Sequence, residues 1–266
     1  MLNETIWMPD RDVLAKNLTV VMGKLEVPAN YMVLDIETTG FSPVKDDIWQ
    51  FGAFTSMDGS CKHAQGVAFH IALPDDRLRR ATFEIGLRAD RLVKTGMSQE
   101  EAHEKGFEDF KKELAEKGKD AKTQIGIVVE GVKKCVTNGW PLVGHNCINF
   151  DLPFVVETCK RFGIEFSTPT RCVVDTGTMI KAAKLKITIG DGEDLISFYR
   201  RVNNVRAKGC YYNLGEFCVQ AFQLTQKYGV DVGKAHDAGY DCYLTSLVLR
   251  ELVDWAKGNV TLSGSC

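Results

Sequence analysis

Tyr31-Met32-Val33-Leu34-Asp35-Ile36-Glu37-Thr38-Thr39-Gly40 (YMVLDIETTG) is the stretch on which the reading of the chain turns. An apolar run ends in two carboxylates and passes into Thr-Thr-Gly, the pattern of a buried strand entering a turn. Side chains two apart on a strand share a face, so Asp35 and Glu37 point the same way. Strand interiors disfavour acids, and two on one face repel unless a cation lies between them. Hard oxygen donors of this kind suit Mg²⁺ or Mn²⁺. A frayed strand end facing solvent would account equally for these two residues taken alone.

Outward from this strand, Ile48–Ser56 and His63–Leu73 read as two more strands, with Asp58-Gly59 as the hairpin signal between them. Three strands in succession give an antiparallel start. The middle of the chain is helical. Ser98 and Glu101 form a capping box opening a helix towards Lys119, and Ile125, Val128, Val129, Val132 and Val136 mark one apolar helical face. Leu142–Val143 is a short strand, and Leu152–Phe162 a helix with Pro153 in its first turn. Further helices are expected over 176–186, 193–204, 213–227 and 237–256. Strands followed by alternating elements give an α/β fold, a mixed sheet flanked by helices. Residues 1–29 read as an N-terminal extension with one short helix, 30–257 as the main domain and 258–266 as a tail.

Two further places carry acids. In His145-Asn146-Cys147-Ile148-Asn149-Phe150-Asp151, Asp151 immediately precedes Leu152-Pro153, where helix N-capping is the ordinary use of an aspartate. In His236-Asp237-Ala238-Gly239-Tyr240-Asp241, Asp241 lies just inside an apolar helical face and needs a partner or a metal. His236 would supply a base with a pKa near neutrality, or be a solvated loop histidine.

Asp-Ile-Glu-Thr-Thr-Gly, His-Asn-x-x-x-Phe-Asp and His-x-Ala-x-x-Asp, in that order, closely resemble the motifs of the DEDD exonuclease superfamily. His236 in the third motif resembles the histidine branch, which includes the proofreading subunit of bacterial DNA polymerase III. The resemblance spans about residues 31–255, with supporting marks at Thr95-Gly96-Met97-Ser98, Asp175-Thr176 and Leu214-Gly215-Glu216-Phe217. The chain departs from that subunit in a longer gap between Asn146 and Phe150 and a longer stretch between Asp175 and Leu214.

The resemblance implies a ribonuclease H-like fold and 3′→5′ hydrolysis of phosphodiester bonds at strand ends, releasing nucleoside 5′-monophosphates. It implies that Asp35, Glu37, Asp151 and Asp241 hold two divalent cations, Mg²⁺ or Mn²⁺, with His236 as general base. Thr38 would offer its backbone to the terminal 3′-hydroxyl, Phe41 would wedge against the last bases, and Asn146 would line the substrate path. Plain core packing is the alternative for Phe41. The expected partner is a single-stranded DNA or RNA 3′ end. The first motif favours DNA by analogy, with RNA trimming or non-catalytic binding as alternatives.

Ser197–Gly209 mixes Phe198 and Tyr199 with Arg200, Arg201, Arg206 and Lys208, and no acid occurs from Leu195 to Gly215. Such a segment would grip a single strand by charge and stacking, or simply form a solvated helix.

The 266 residues carry a net charge of −2, which argues against attachment to nucleic acid by charge alone. Bound cations would supply the positive charge instead. No apolar run is long enough to span a bilayer, and the N-terminal MLNETIWMPD lacks signal-peptide character, so a cytoplasmic location without membrane partners is expected. The sequons at Asn3, Asn17 and Asn259 then stand idle. Nine cysteines without a Cys-x-x-Cys pair read as free thiols of a reducing compartment. The His236-Asp237 pair lacks the further histidines of a phosphohydrolase metal site, and Gly229–Lys234 falls short of a P-loop.

Overall fold

The computed structural model describes residues 9–57, 66–208, 210 and 212–260. Its sheet runs β1 (Tyr31–Thr38), β2 (Ile48–Ser56), β3 (Val67–His70), β4 (Leu142–Gly144) and β5 (Val173–Asp175), in the spatial order β3-β2-β1-β4-β5. β1–β3 are antiparallel, while β4 and β5 run parallel to β1. Helices flank this mixed sheet in the ribonuclease H-like α/β manner. They are α1 (Arg11–Met22), α2 (Asp75–Leu78), α3 (Thr82–Val93), α4 (Gln99–Lys117), α5 (Ala121–Thr137), α6 (Asp151–Phe162), α7 (Thr176–Leu185), α8 (Leu195–Asn204), α9 (Val219–Ala221), α10 (Leu224–Tyr228) and α11 (Ala238–Lys257).

β1 is buried on both faces, as a central strand must be. Met32 approaches Gly131 of α5, while the alternate face, carrying Asp35, looks towards Cys242 of α11. The same alternation puts Glu37 with Asp35. The described part of β3 is shorter than the expected 63–73, and the Asp58-Gly59 hairpin signal lies outside the described residues.

The capping box holds: the Ser98 hydroxyl accepts the Glu101 N–H and donates to the Glu101 carboxylate at 2.6 Å. Along α5, Ile125, Val128, Val129 and Val132 are buried, but Cys135 takes the last core position and Val136 is exposed. The helix expected over 213–227 is broken into a π turn (Leu214–Cys218), α9 and α10, because Gln223 adopts a left-handed backbone between the last two. β5 has too few residues to show a period and was not expected.

Residues 11–22, read as part of an extension, form a helix packed on α7 and α11, with Leu14 and Leu18 wholly within the main core. Truncating either to alanine costs roughly 2–5 kcal/mol for a well-packed site. Asn17 is also fully buried: its amide donates to the Ile187 carbonyl and its oxygen accepts from the Ile189 N–H. The sequon there has no solvent-facing acceptor. A second, smaller core gathers Trp49, Leu78, Ala81, Ile85, Phe107, Phe110 and Leu114, and fixes α2–α4 against β2. Among the described residues, no helix is long and apolar enough to cross a membrane.

The start of α11 lies directly on the sheet. A Cβ on Gly52 would overlap the Ala238 carbonyl, and one on Gly66 would overlap that of Gly239. Glycine inside a strand marks such close backbone approach. Gly52→Ala is therefore expected to destabilise the protein by about 1–3 kcal/mol, the usual cost of overpacking. It should also displace Asp241 and lower the activity expected of the acidic motifs in the folded fraction. Urea unfolding and specific activity measured on one preparation check both outcomes.

Candidate active site

Three chain segments meet at the C-terminal end of β1. Asp35 and Glu37 arrive on the strand, opposite Gly52 and Gln50 of β2. Asp151 is the first residue of α6 and Asp241 sits in the first turn of α11, both favourable helix-end positions for an acid. Donor atoms of Glu37, His236 and Asp241 lie within 4.8 Å of one another. Asp35 is close enough to Asp151, Asp241 and Glu37 for each to raise its pKa.

Burial is the main cause of the strained electrostatics. It pushes Asp35 well above the usual carboxylate range, with Asp151, Asp241 and Glu37 adding repulsion. It raises Glu37 to about 9, reinforced by Asp241 and Glu84. Asp151 rises to about 8, opposed by backbone hydrogen bonds. Asp241 rises to about 7, with the His236 N–H resisting the shift by donating to Oδ2 at 3.1 Å.

The donor set fits divalent cations. The other oxygen of Asp241, Oδ1, is buried without a hydrogen-bond partner, and a buried unpaired carboxylate oxygen is costly. No lysine or arginine pairs with Asp35, Glu37, Asp151 or Asp241 among the described residues.

His236 has a left-handed backbone (φ 69°), and the ring of Phe83 stands edge-on to it at 5.2 Å. Burial, and then the charge of Arg91, lower its pKa, favouring the neutral imidazole. Asp237 caps α11 through the Tyr240 N–H. Gln50, 2% exposed, clamps this loop to the sheet: its amide donates to Asp237 at 3.0 Å and its oxygen accepts the Ala238 N–H at 2.9 Å. Sequence reasoning passed over Gln50. Its signal was a lone amide in the apolar run Ile48-Trp49-Gln50-Phe51.

Asn146, at φ 64°, turns the loop leading to Asp151. Fully buried Asp175 holds that loop, accepting the N–H groups of Asn146 at 2.9 Å and Ile148 at 3.1 Å while it caps α7 through Thr178. His145 is half-buried, and desolvation lowers its pKa to about 4, so it is neutral at pH 7. Its Nε2–H donates to the Tyr212 carbonyl at 2.7 Å, leaving Nδ1 to accept from Thr176 at 2.9 Å.

Thr38 donates its hydroxyl to the Gly40 carbonyl. Phe41 is 84% exposed, which removes the core-packing alternative; its ring lies 6.4 Å from Phe150. Arg200, Arg201 and Arg206 lie elsewhere, on or just after α8, which packs on α7 beyond β5. The aromatic half of that segment cannot stack on a strand: Phe198 and Tyr199 are fully buried, and the Tyr199 hydroxyl donates to the Val173 carbonyl. They belong to the apolar face of an amphipathic helix. All three arginines are exposed, and Arg201 is bound to Glu193, which precedes the acid-free stretch.

A model of the CAF1 family, described as a family of ribonucleases, matches residues 55–249. The chain belongs to the CAF1 ribonuclease family. It is a nuclease of the DEDD type, a group that uses divalent metals. The matched residues include Asp151, His236 and Asp241, while Asp35 and Glu37 precede them. No curated protein matches the chain. Among solved structures it is similar to E. coli exonuclease I in its zinc-bound complex with single-stranded DNA, at 17% identity and a TM-score of 0.49, over 85% of this chain and 41% of that one. The same exonuclease with a dT13 oligonucleotide gives 18% identity and a TM-score of 0.47, over 85% and 41%. The chain thus spans about two fifths of the length of these structures.

The raised carboxylates set a pH dependence for the metal-free protein. Their folded-state pKa values exceed the unfolded ones, so the folded state holds more protons, and stability is lost as pH rises through the folded values. Between pH 7 and 9, Asp241, Asp151 and Glu37 give up protons in the folded chain only. With EDTA, the melting temperature is expected to fall across this window, and Mn²⁺ or Mg²⁺ should flatten the fall. Thermal denaturation at pH 7, 8 and 9 checks it; a metal-free melting temperature that rises with pH would contradict the assignment.

Proposed function

We propose that the chain is a metal-dependent 3′→5′ exonuclease of the histidine branch, removing nucleotides singly from single-stranded RNA ends and releasing nucleoside 5′-monophosphates. The observation that carries the reading is the convergence of Glu37, His236 and Asp241 donors within 4.8 Å, beside Asp35 and Asp151. The ribonuclease description of the family, over residues 55–249, favours RNA over the DNA expected from the first motif.

In this reading Asp35, Glu37, Asp151 and Asp241 would hold two divalent ions, Mg²⁺ or Mn²⁺, which when bound would supply charge neutralisation at the phosphate and acidify the attacking water. His236 accepts the proton from that water. Partial desolvation and the charge of Arg91 lower its pKa, favouring the unprotonated base, and its N–H to Asp241 fixes the loop that carries it. The Thr38 backbone meets the terminal 3′-hydroxyl, exposed Phe41 stacks on the terminal bases, and Asn146 borders the strand. Arg200 and Arg206 are available to distant phosphates of a long strand. Buried free thiols at Cys135, Cys147, Cys159, Cys218 and Cys242 suit a cytoplasmic setting.

Asp241→Asn is expected to abolish cleavage with the fold intact, as is chelation of the unmodified protein. His236→Ala should lower the single-turnover rate by roughly 10²–10⁴-fold while metal affinity changes little, the signature of a lost general base. Matched 5′-labelled RNA and DNA oligonucleotides decide the substrate. Faster trimming of RNA is expected, and preferential trimming of DNA would return the reading to a deoxyribonuclease.

A further inference from the structure

The surface beside His236 holds a feature that metal binding does not use. β2, α3, α4 and the loop before α11 enclose a cavity of about 490 Å³, within the roughly 300–1,000 Å³ range of small-molecule sites. His236 and Asp237 line one side, and Glu84, Arg88 and Glu113 line another. These charges already have partners. Arg88 donates to Glu84 and Glu113, Glu113 also receives Lys117, and Asp237 is held by Gln50 and the Tyr240 N–H.

Arg91 and Lys234 line the same cavity and are different. Neither forms a hydrogen bond or ion pair with an acid among the described residues, although Lys234 lies over the Tyr240 ring at 6.0 Å. Trp49 also lines the cavity; it is 2% exposed, and its indole N–H is buried without an acceptor. Two cations without a hydrogen-bonded acid partner, on the wall of one cavity, make a site for an anionic, acceptor-rich group. Next to His236, Phe83 is 54% exposed and offers a ring on which a base can stack.

We propose that this cavity is a phosphate subsite for a nucleotide unit of the substrate strand, with Arg91 and Lys234 as its cations. This rests on the nuclease reading and adds a binding role for the α3–α4 side of the molecule. The Arg91→Ala/Lys234→Ala double variant of the full chain tests it, with Lys16→Ala/Lys24→Ala on the α1 side as control. Both are compared with the unmodified chain for affinity towards a single-stranded RNA oligonucleotide and a nucleoside 5′-monophosphate, with Ca²⁺ in place of the activating cation.

The cavity variant should bind the oligonucleotide about tenfold or more weakly, as expected for losing a charge-assisted contact. Its log affinity should fall less steeply with log salt, by about 0.7 for one phosphate of a single strand. Weaker binding of both ligands places the terminal nucleotide in the cavity. A loss confined to the oligonucleotide places an upstream nucleotide there. Affinities and salt slopes equal to those of the unmodified chain overturn the subsite. Cleavage by the unmodified chain is assayed separately, so failure of the nuclease reading is distinguishable from failure of the cavity.

Discussion

Mutual repulsion among Asp35, Glu37, Asp151 and Asp241 is the constraint around which this fold is organised. Buried carboxylates at one point oppose folding unless the surroundings hold them and a cation neutralises them. The backbone supplies the holding. β1 is locked between β2 and β4, α6 begins at Asp151, and α11 begins three residues before Asp241. Two side chains outside the acidic cluster tie these parts together. Asp175 reaches from the end of β5 into the loop before α6, and Gln50 reaches from β2 to the start of α11. Rigid support of this kind is what reactive geometry requires.

Much of this was legible in the residues, for physical reasons. Asp35 and Glu37 stood out because acids are misplaced in an apolar strand, and Asp241 because an acid is misplaced on an apolar helical face. Helices with a clear period and a capping residue, such as α4 and α11, could be placed closely. What escaped was short or tertiary in origin. β5 has no period to read, and the break at Gln223 depends on a backbone conformation that composition does not announce. Phe198 and Tyr199, flanked by arginines, looked like a binding surface; the burial of one helical face decided otherwise. The lone amide of Gln50 could be seen but not its role, because its partners, Asp237 and Ala238, lie far along the chain.

α2–α4 form a unit of a different kind. They carry a core of their own around Trp49, Phe107 and Phe110, joined to the sheet at the β2–β3 edge. Their charged side, Glu84, Arg88 and Arg91, borders the loop of His236. One element group thus borders the histidine while the other end of the sheet, around α7 and α8, is closed by buried aromatic residues.

The seam where Gly52 and Gly66 meet the carbonyls of Ala238 and Gly239 has a consequence for how such a protein can change. Elsewhere in the core, a larger side chain can be offset by a smaller neighbour. Where main chain lies on main chain, no such exchange exists. Sequence drift at this seam has no compensating route, whereas the core of α2–α4, built from the side chains around Trp49, Phe107 and Phe110, can be rebuilt piece by piece. The α2–α4 side is therefore free to diversify while the geometry of the acidic cluster stays pinned.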